Sequence, residues 1–307
     1  MAKHIADFID HMRAMGCAPA DPEEIIDDDK PRRYRLDGDK PKVRNGIYAL
    51  RIEPDDFAFG WFLSFKDGET HKWHTKAARK ISAEDRAKHK ARADAAKHDR
   101  DAKQADDAKR AADKATQLWA SCKAGSSPYL TRKGIEAHGT KIMRDLVVVP
   151  MRRGPDVVGL QFIASDGAKR FLTGSAKDGA YFSIAKRGDD LSRIIICEGF
   201  ATGGTLRQAT GWPVIVAFDA GNLKPVAKAI RARYPDAEII IAGDNDQWTK
   251  RQDGSDWNPG VEKAQQAAAG IGGARVIAPR VDPQDPDKRT DWNDIHMTDG
   301  LQAVTNA

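Results

Sequence analysis

The chain has 307 residues, of which 40% are hydrophobic and 31% are charged, with a net charge of +5. This length allows two domains with separate cores, and the excess of basic residues points weakly to an anionic partner. No apolar run is long enough for a membrane span, and the N-terminus lacks the apolar core of a secretory signal. The three cysteines, Cys17, Cys122 and Cys197, are far apart and odd in number, which excludes a disulfide framework. These features predict a cytoplasmic protein.

The first 81 residues are predicted to form a small N-terminal α+β domain. Apolar residues at helical spacing predict an amphipathic helix over 4–15. Short apolar and aromatic runs separated by Asp-Gly turns predict a small antiparallel sheet over 34–73. Its aromatic side chains are expected either to form the core of this domain or to stack on nucleic-acid bases. They are Tyr48, Phe57, Phe59, Trp61, Phe65 and Trp73.

Residues 82–124 are rich in Ala, Lys, Asp and Arg and are predicted to form a charged helical linker. Ala, Lys and Arg favour helices, and Ser82 followed by Asp85 is typical of a helix start. Opposite charges at three- and four-residue spacing would support a solvated helix. We interpret this stretch as a spacer, with a basic arm that lies along DNA as the alternative.

The remainder of the chain divides at about residue 193. Residues 125–192 contain a short helical segment and apolar runs that predict an antiparallel meander, within a basic subdomain. From 193 to 307 apolar strands alternate with helices, which predicts a parallel sheet covered on both faces. The strands are predicted at 194–197, 213–218, 238–242 and 275–278, and the helices near 202–210, 223–233 and 260–270.

Acidic residues follow two of these predicted strands. Glu198 follows the first strand, and Asp244 and Asp246 follow the third. In open parallel sheets ligands bind at the carboxyl ends of the strands, and magnesium prefers carboxylate oxygens together with waters and phosphate oxygens. The three acids therefore predict a magnesium site, although acids in such places also cap helices.

Several motifs in this half of the chain resemble a known family. The segments CEGFATGG, VAFDAGNL, IIIAGDNDQ and NPGVEKAQQAA resemble the Toprim domain, in particular that of the Toprim primases of phages and plasmids. Upstream, the segments PYLTRKGI, LVVVPMR, GLQFI and GAKRFLTG resemble the part that precedes Toprim in those proteins. The resemblance covers roughly 125–300. It implies an α/β Toprim domain preceded by a small mixed α+β basic subdomain, with a separate small N-terminal domain.

The resemblance also implies a function. Such proteins are DNA primases, which are nucleotidyltransferases that synthesise short RNA primers on single-stranded DNA from nucleoside triphosphates. Glu198, Asp244 and Asp246 would be the catalytic, metal-binding acids, with Mg²⁺ or Mn²⁺ as the metal. A replicative helicase or other replication proteins would be partners. The alternatives are a Toprim nuclease that uses the same acids, or a non-catalytic single-stranded DNA-binding module.

The match to the family has departures and open points. Thr202 occupies the place of a second acid that bacterial-type primases often have. Asp219 is interpreted as a turn residue, with metal binding as the alternative. Asp291 and Asp294 resemble an acidic element that follows Toprim in phage primases, and are expected either to help bind metal or nucleotide or to start a helix.

The N-terminal domain lacks the zinc ribbon with which primases of this type usually begin. Cys17, His71 and His74 form only a poor remnant of such a site, so we expect no zinc there.

Basic residues cluster ahead of the predicted Toprim domain. A template strand crossing this subdomain would reach the metal site, as the family arranges it, although a solvated basic face is the alternative. The residues predicted to bind nucleic acid are Arg132, Lys133, Lys141, Arg144, Arg152, Arg153, Lys169 and Arg170.

Overall fold

The structure is a computed structural model, and its described residues are 2–53, 56–66, 68–75, 83–251 and 254–306. The chain divides into two compact units, which we describe separately. The first comprises Met1–Lys90 with Lys250–Asp256, and the second comprises Ala91–Thr249 with Trp257–Ala307. Within the described ranges no helix is both long and apolar enough to span a membrane.

The described part of the first unit includes an N-terminal helix, a 3₁₀ turn (Pro22–Glu24) and an antiparallel four-stranded sheet of order β1-β2-β3-β4. The predicted helix and small antiparallel sheet are confirmed. The elements are α1 (Ala2–Ala14), β1 (Arg32–Tyr34), β2 (Gly46–Ile52), β3 (Ala58–Ser64) and β4 (Thr70–His74).

The core of the first unit lies between α1 and one face of this sheet. Phe8 of α1 is fully buried, with its ring centroid 5.6 Å from that of Phe62 and 5.3 Å from that of Trp73. Residue 60 is glycine because a Cβ there would lie 2.9 Å from the Phe8 ring. Cys17 is fully buried in the same core, so its side chain contributes to packing.

The long helix α2 (Ala83–Ser121) agrees with the predicted helix, while Ser82 and the predicted 81/82 boundary lie outside the described residues. Ion pairs at helical spacing join Asp107 to Lys103 and Arg110. The last turns differ from the predicted solvated face, because Ala111 and Ala115 are buried. Ala115 and the neighbouring Leu118 and Trp119 pack in the same cluster as the buried Val148 and Leu160, so this end of α2 belongs to the core of the second unit.

The second unit begins with α3 (Pro128–Arg132) and continues into an antiparallel sheet of order β5-β6-β7-β8. This confirms the predicted meander. Its strands are β5 (Lys141–Met143), β6 (Leu146–Arg153), β7 (Asp156–Ile163) and β8 (Lys169–Phe171).

The rest of the second unit is built on a five-stranded sheet of order β15-β12-β10-β11-β9. Strands β15, β12, β10 and β11 are parallel, and β9 pairs antiparallel with β11. A 3₁₀ turn (Ala220–Asn222) follows β11. In chain order its elements are β9 (Phe182–Ile184), β10 (Arg193–Cys197), α4 (Phe200–Thr210), β11 (Val214–Val216), α5 (Leu223–Arg233), β12 (Glu238–Ala242), α6 (Pro259–Ala269), β15 (Ala274–Ile277), α7 (Trp292–Asp299) and α8 (Leu301–Asn306). Between β12 and α6, β13 (Thr249–Lys250) and β14 (Asp256–Trp257) form a two-stranded sheet whose residues are divided between the two units.

Helices cover both faces of this sheet, as predicted. Alternate residues of β10 enter different cores, since Ile195 packs in one cluster and Ile194 and Ile196 pack in the other. Helices α4, α7 and α8 contribute to the first cluster, and α5 and α6 contribute to the second. Strand β9 belongs to this sheet. It lies before residue 193, in the range that we predicted to be part of the basic subdomain. The other domain boundaries stay predictions.

Candidate active site

Two of the predicted acids follow neighbouring strands of the five-stranded sheet. Glu198 comes directly after β10, and Asp244 follows β12 with Gly243 between them. The two strands are parallel, and Cys197 is in register with Ala242. Their carboxyl ends therefore lie side by side, and the predicted meeting of these strand ends at one edge of the sheet is confirmed.

The carboxyl groups of Glu198 and Asp244 are buried and act on each other electrostatically. Glu198 Oε1 and Asp244 Oδ1 are buried without a hydrogen-bond partner among the described residues. Burial raises the pKa of Glu198 to about 7, the carboxylates of Asp246 and Asp219 add to this, and Lys169 opposes it. Burial also raises the pKa of Asp244 well above its ordinary value, and Glu198 is the strongest charged contributor. Buried oxygens without a partner cost free energy, so a cation at this edge would stabilise them.

Asp246 is held at the start of α6. Its backbone N–H donates to Asn258 Oδ1 at 3.0 Å, and its Oδ2 accepts from the Gly260 N–H at 3.1 Å. A side chain at 260 is excluded, because a Cβ there would lie 2.4 Å from the Asp244 carbonyl oxygen. One oxygen of Asp246 thus caps a helix, while its charge still raises the pKa of Glu198.

The two glycines beside the acids do not have the backbone conformation expected of tight turns. Neither Gly199 nor Gly243 has a positive φ. A Cβ at Gly243 would lie 2.9 Å from the Ala264 Cβ, so glycine allows α6 to pack closely there. Glycine at 243 therefore serves this close approach and not a positive φ.

Asp291 and Asp294 form the start of α7. Asp291 Oδ1 accepts from the Asp294 N–H at 2.8 Å, and Asp294 Oδ2 accepts from the Thr290 and Asp291 N–H groups at 3.0 and 3.3 Å. This reciprocal arrangement is a capping box. Burial, followed by the charge of Asp294, raises the pKa of Asp291, whose charge in turn raises that of Asp244. The helix-start alternative thus holds for both acids, and their role in metal binding stays a prediction.

Asp219 also has a local structural role. Its side chain accepts from the Asn222 N–H at 3.1 Å and caps the 3₁₀ turn that follows β11. It also forms an ion pair with Lys177. These contacts agree with the interpretation of Asp219 as a turn residue, although its charge contributes to the raised pKa of Glu198.

Two of the predicted nucleic-acid-binding lysines lie near the acids. The Lys169 ammonium nitrogen is 3.6 Å from the position a Cβ would take at Gly199. Its charge lowers the pKa of both Glu198 and Asp244. The charge of Lys133 likewise lowers the pKa of Asp291. The structure therefore places positive charge directly beside the acidic edge, where it could meet a phosphate group.

Most of the other predicted basic residues are engaged with backbone carbonyl groups. Such contacts fix their side chains and leave part of their donors for a ligand. Arg144 occupies an exposed turn with a φ of 56°, and Arg170 is exposed on β8. The engaged pairs are Arg132 with Ser165, Lys141 with Trp119 at 2.9 Å, Arg152 with Pro155 at 2.7 Å, and Arg153 with Asp178 at 3.0 Å.

Three asparagines that the sequence analysis did not single out organise this region. Asn222 donates to the Ala180 and Ala217 carbonyl oxygens at 2.9 and 2.8 Å. Asn293 donates to the Lys133 carbonyl oxygen at 2.7 Å and to Thr205 Oγ1 at 2.9 Å. Asn258 caps α6, and it was identifiable, because Asn before Pro is a helix-start signal. Ala180, the second partner of Asn222, and both partners of Asn293 are too distant in sequence to leave a local signal.

The donor chemistry of the acidic edge fits a hard divalent cation. The unpartnered oxygens of Glu198 and Asp244 are carboxylate oxygens, which Mg²⁺ and Mn²⁺ prefer. Among the described residues, however, no three His, Cys, Asp or Glu side chains form a ready-made metal site. The edge therefore suits a metal held by one or two carboxylates, with waters and phosphate oxygens completing its coordination.

Comparison with known proteins shows which sequences this chain resembles. The Toprim domain family matches residues 193–302. One DNA primase TraC of Escherichia coli is 32% identical over 286 residues, covering 88% of this chain and 26% of the relative. A second TraC of the same species is 31% identical over 294 residues, covering 88% of this chain and 19% of the relative. The chain thus spans about a quarter or less of these relatives.

Solved structures of primases are also similar, at low identity. The RNA polymerase domain of Mycobacterium tuberculosis primase DnaG is 16% identical, with 60% of this chain and 67% of that chain covered and a TM-score of 0.35. A DnaG catalytic domain bound to single-stranded DNA is 13% identical, with 60% and 62% covered and a TM-score of 0.38. Similarities of this size do not define a fold.

Residues 193–302 are therefore a Toprim domain, a class that is generally metal-dependent. Over most of its length the chain is related to the DNA primase TraC, which confirms the predicted resemblance to Toprim primases of the phage and plasmid type.

Proposed function

We propose that this chain is the catalytic part of a DNA primase, which synthesises short RNA on single-stranded DNA from nucleoside triphosphates. The observation that carries the proposal is the edge at which Glu198 and Asp244 place buried, unpartnered carboxylate oxygens beside the ammonium group of Lys169. Adjacent negative and positive charge suits a ligand that brings both a cation and a phosphate. The relation to TraC supports nucleotidyl transfer as the reaction.

Glu198, Asp244 and Asp246 would hold the metal, Mg²⁺ or Mn²⁺, with Asp291 and Asp294 nearby at the start of α7. When bound, the metal supplies activation of the attacking hydroxyl and stabilisation of the leaving pyrophosphate. Lys169 would bind the triphosphate and neutralise charge that develops on it. As the alternative to holding the metal, Glu198 would act as a base near neutral pH, since its pKa in the metal-free fold is about 7.

The exposed basic residues of the antiparallel sheet would bind the template. Arg144 and Arg170 are exposed, and Lys133 lies beside Asp291, so a strand that contacts them would pass near the acidic edge. Arg132, Lys141, Arg152 and Arg153 would contribute through the donors that their backbone contacts leave. A replicative helicase or other replication proteins would be partners.

Primer synthesis tests this proposal directly. The protein is incubated with single-stranded DNA of varied sequence, labelled nucleoside triphosphates and Mg²⁺ or Mn²⁺, and we expect short RNA products. Glu198→Gln should abolish them, while Glu136→Gln, the same change at an exposed glutamate of the second unit, should not. Metal-dependent cleavage of DNA without nucleotides would instead identify a nuclease. DNA binding without any product would identify a binding module.

A further inference from the structure

An exposed aromatic side chain lies next to the acidic edge. Phe171 of β8 is 38% exposed. Its ring is packed edge-to-face on Phe218, with the two ring centroids 6.2 Å apart. The Lys177 ammonium nitrogen lies 5.6 Å from the Phe171 ring centroid. The ring is thus held in place by two neighbours and still has surface available to a ligand.

Strand β8 connects this ring to the acids. Phe171 and Lys169 are two residues apart on one strand, so their side chains point to the same face about 7 Å apart. Lys169 reaches the backbone at Gly199 and the charges of Glu198 and Asp244. If a nucleotide bound Lys169 through its phosphate, its base would therefore be able to reach the Phe171 ring.

The neighbour of Phe171 is fixed by the same edge of the sheet. Phe218 follows β11, and its N–H donates to the Glu198 carbonyl oxygen at 2.8 Å. Its φ of 76° is a conformation that side-chain-bearing residues rarely adopt, and such conformations concentrate at functional sites. The turn is maintained by Asp219, which caps the next residues and pairs with Lys177. The backbone hydrogen bond to Glu198 therefore holds Phe218, and with it the ring, in place.

We propose that Phe171 stacks on the base of a nucleoside triphosphate whose phosphates lie against Lys169. This inference rests on the proposed function, because it names the binding mode of the substrate at the same edge. Aromatic rings bind bases through their faces without selecting among them, which suits an enzyme that must accept four nucleotides. The role differs from packing, for which any apolar side chain of similar size would serve.

The test uses the full chain and two substitutions of opposite character. Phe171→Leu keeps an apolar side chain and removes the aromatic face, whereas Phe171→Tyr keeps the face. We expect Phe171→Leu to raise the KM for nucleoside triphosphates roughly tenfold, the size of a lost stacked base, with kcat changed less than about twofold. Phe171→Tyr should resemble wild type. Leu191→Ala, a truncation of another exposed apolar residue of this unit, is the control and should have no effect.

Binding without synthesis provides an independent measurement. The triphosphate of 2-aminopurine riboside, added with Mg²⁺ but without template, should lose fluorescence on wild type and on Phe171→Tyr, and excess ATP should reverse this. Phe171→Leu should not quench it, and thermal unfolding should show that all variants are folded. Equal quenching by Phe171→Leu, or none by wild type, overturns the stacking proposal. Active primer synthesis with an unchanged KM in Phe171→Leu overturns the stacking proposal while leaving the proposed function intact. An active Glu198→Gln protein instead overturns the assignment of the acidic edge as the active site, on which the stacking proposal rests.

Discussion

Partly buried acids lie both at the edge of the parallel sheet and at the start of α7, but at the edge Glu198 and Asp244 each retain one carboxylate oxygen without a partner among the described residues. Asp291 and Asp294 accept backbone N–H groups in a capping box. Glu198 Oε1 and Asp244 Oδ1 have no such partner among the described residues. Unsatisfied buried carboxylates destabilise a fold, whereas capping acids stabilise it. We therefore expect the first pair to serve a ligand and the second pair to serve the helix.

The largest expected effect separates the two regions by activity. Asp244→Asn should lower kcat for primer synthesis roughly 100- to 1000-fold, because a charge-stabilising group is lost at the reacting centre. Asp291→Asn removes the same charge and retains a good N-cap residue, so we expect a loss of less than about tenfold. Steady-state kinetics of both variants measures this. An equal loss in the two would remove the distinction and make Asp291 a metal ligand.

The next effect concerns two basic residues of the antiparallel sheet, Lys169 and Arg153. Lys169→Met should lower kcat/KM for nucleotides roughly 10- to 100-fold, since a hydrogen bond to a charged group is lost. Arg153→Met should change it less than about threefold, because the Arg153 guanidinium already donates to the Asp178 carbonyl oxygen. Nucleotide titrations in the primer assay compare the two. A larger loss for Arg153→Met would place the triphosphate away from the acidic edge.

Stability should respond to pH at the sheet edge. The pKa of Glu198 in the fold, about 7, exceeds its ordinary value of 4.5, so ionisation destabilises the metal-free fold increasingly as pH rises from about 4.5 through 7. Glu198→Gln should therefore be more stable than wild type by about 1–2 kcal/mol at pH 8, and this gain should vanish near pH 4.5.

Urea unfolding of both proteins at the two pH values, without divalent ions, measures this difference. Added Mg²⁺ should stabilise wild type and leave Glu198→Gln nearly unchanged, because a ligand stabilises only the fold that binds it. A wild-type protein that is more stable than Glu198→Gln at pH 8 without metal would contradict the idea of a strained, unpartnered carboxylate.

The smallest effect tests the helix start. Asp294→Ala removes one half of the capping box and should lower the free energy of unfolding by about 1 kcal/mol. Primer synthesis should stay within about twofold of wild type. Urea unfolding and the primer assay, performed on one preparation, measure both. If synthesis falls more than tenfold while stability is unchanged, Asp294 acts at the metal and the two regions form one site.

The features that depend on local sequence pattern were predictable. Uniformly apolar strands alternating with helices were sufficient to predict a parallel sheet covered on both faces, because each strand must bury both sides. Acids that directly follow such strands were predicted to meet at one edge, and β10 and β12 are neighbours. A helix start at Asp291 and Asp294 was one of the predicted alternatives, because the two residues of a capping box are three positions apart in sequence.

The side chains that complete the site could not be predicted from local pattern, because their positions depend on tertiary packing. Lys169 was predicted as one of eight equivalent basic residues, and it is the packing of β8 near the end of β10 that places it beside Glu198. The contact between Asn293 and the Lys133 carbonyl oxygen joins residues 160 positions apart. The buried end of α2 likewise depends on a sheet formed later in the chain. Backbone hydrogen bonding and hydrophobic periodicity act over a few residues, whereas these placements depend on how separate elements pack, which no local pattern records.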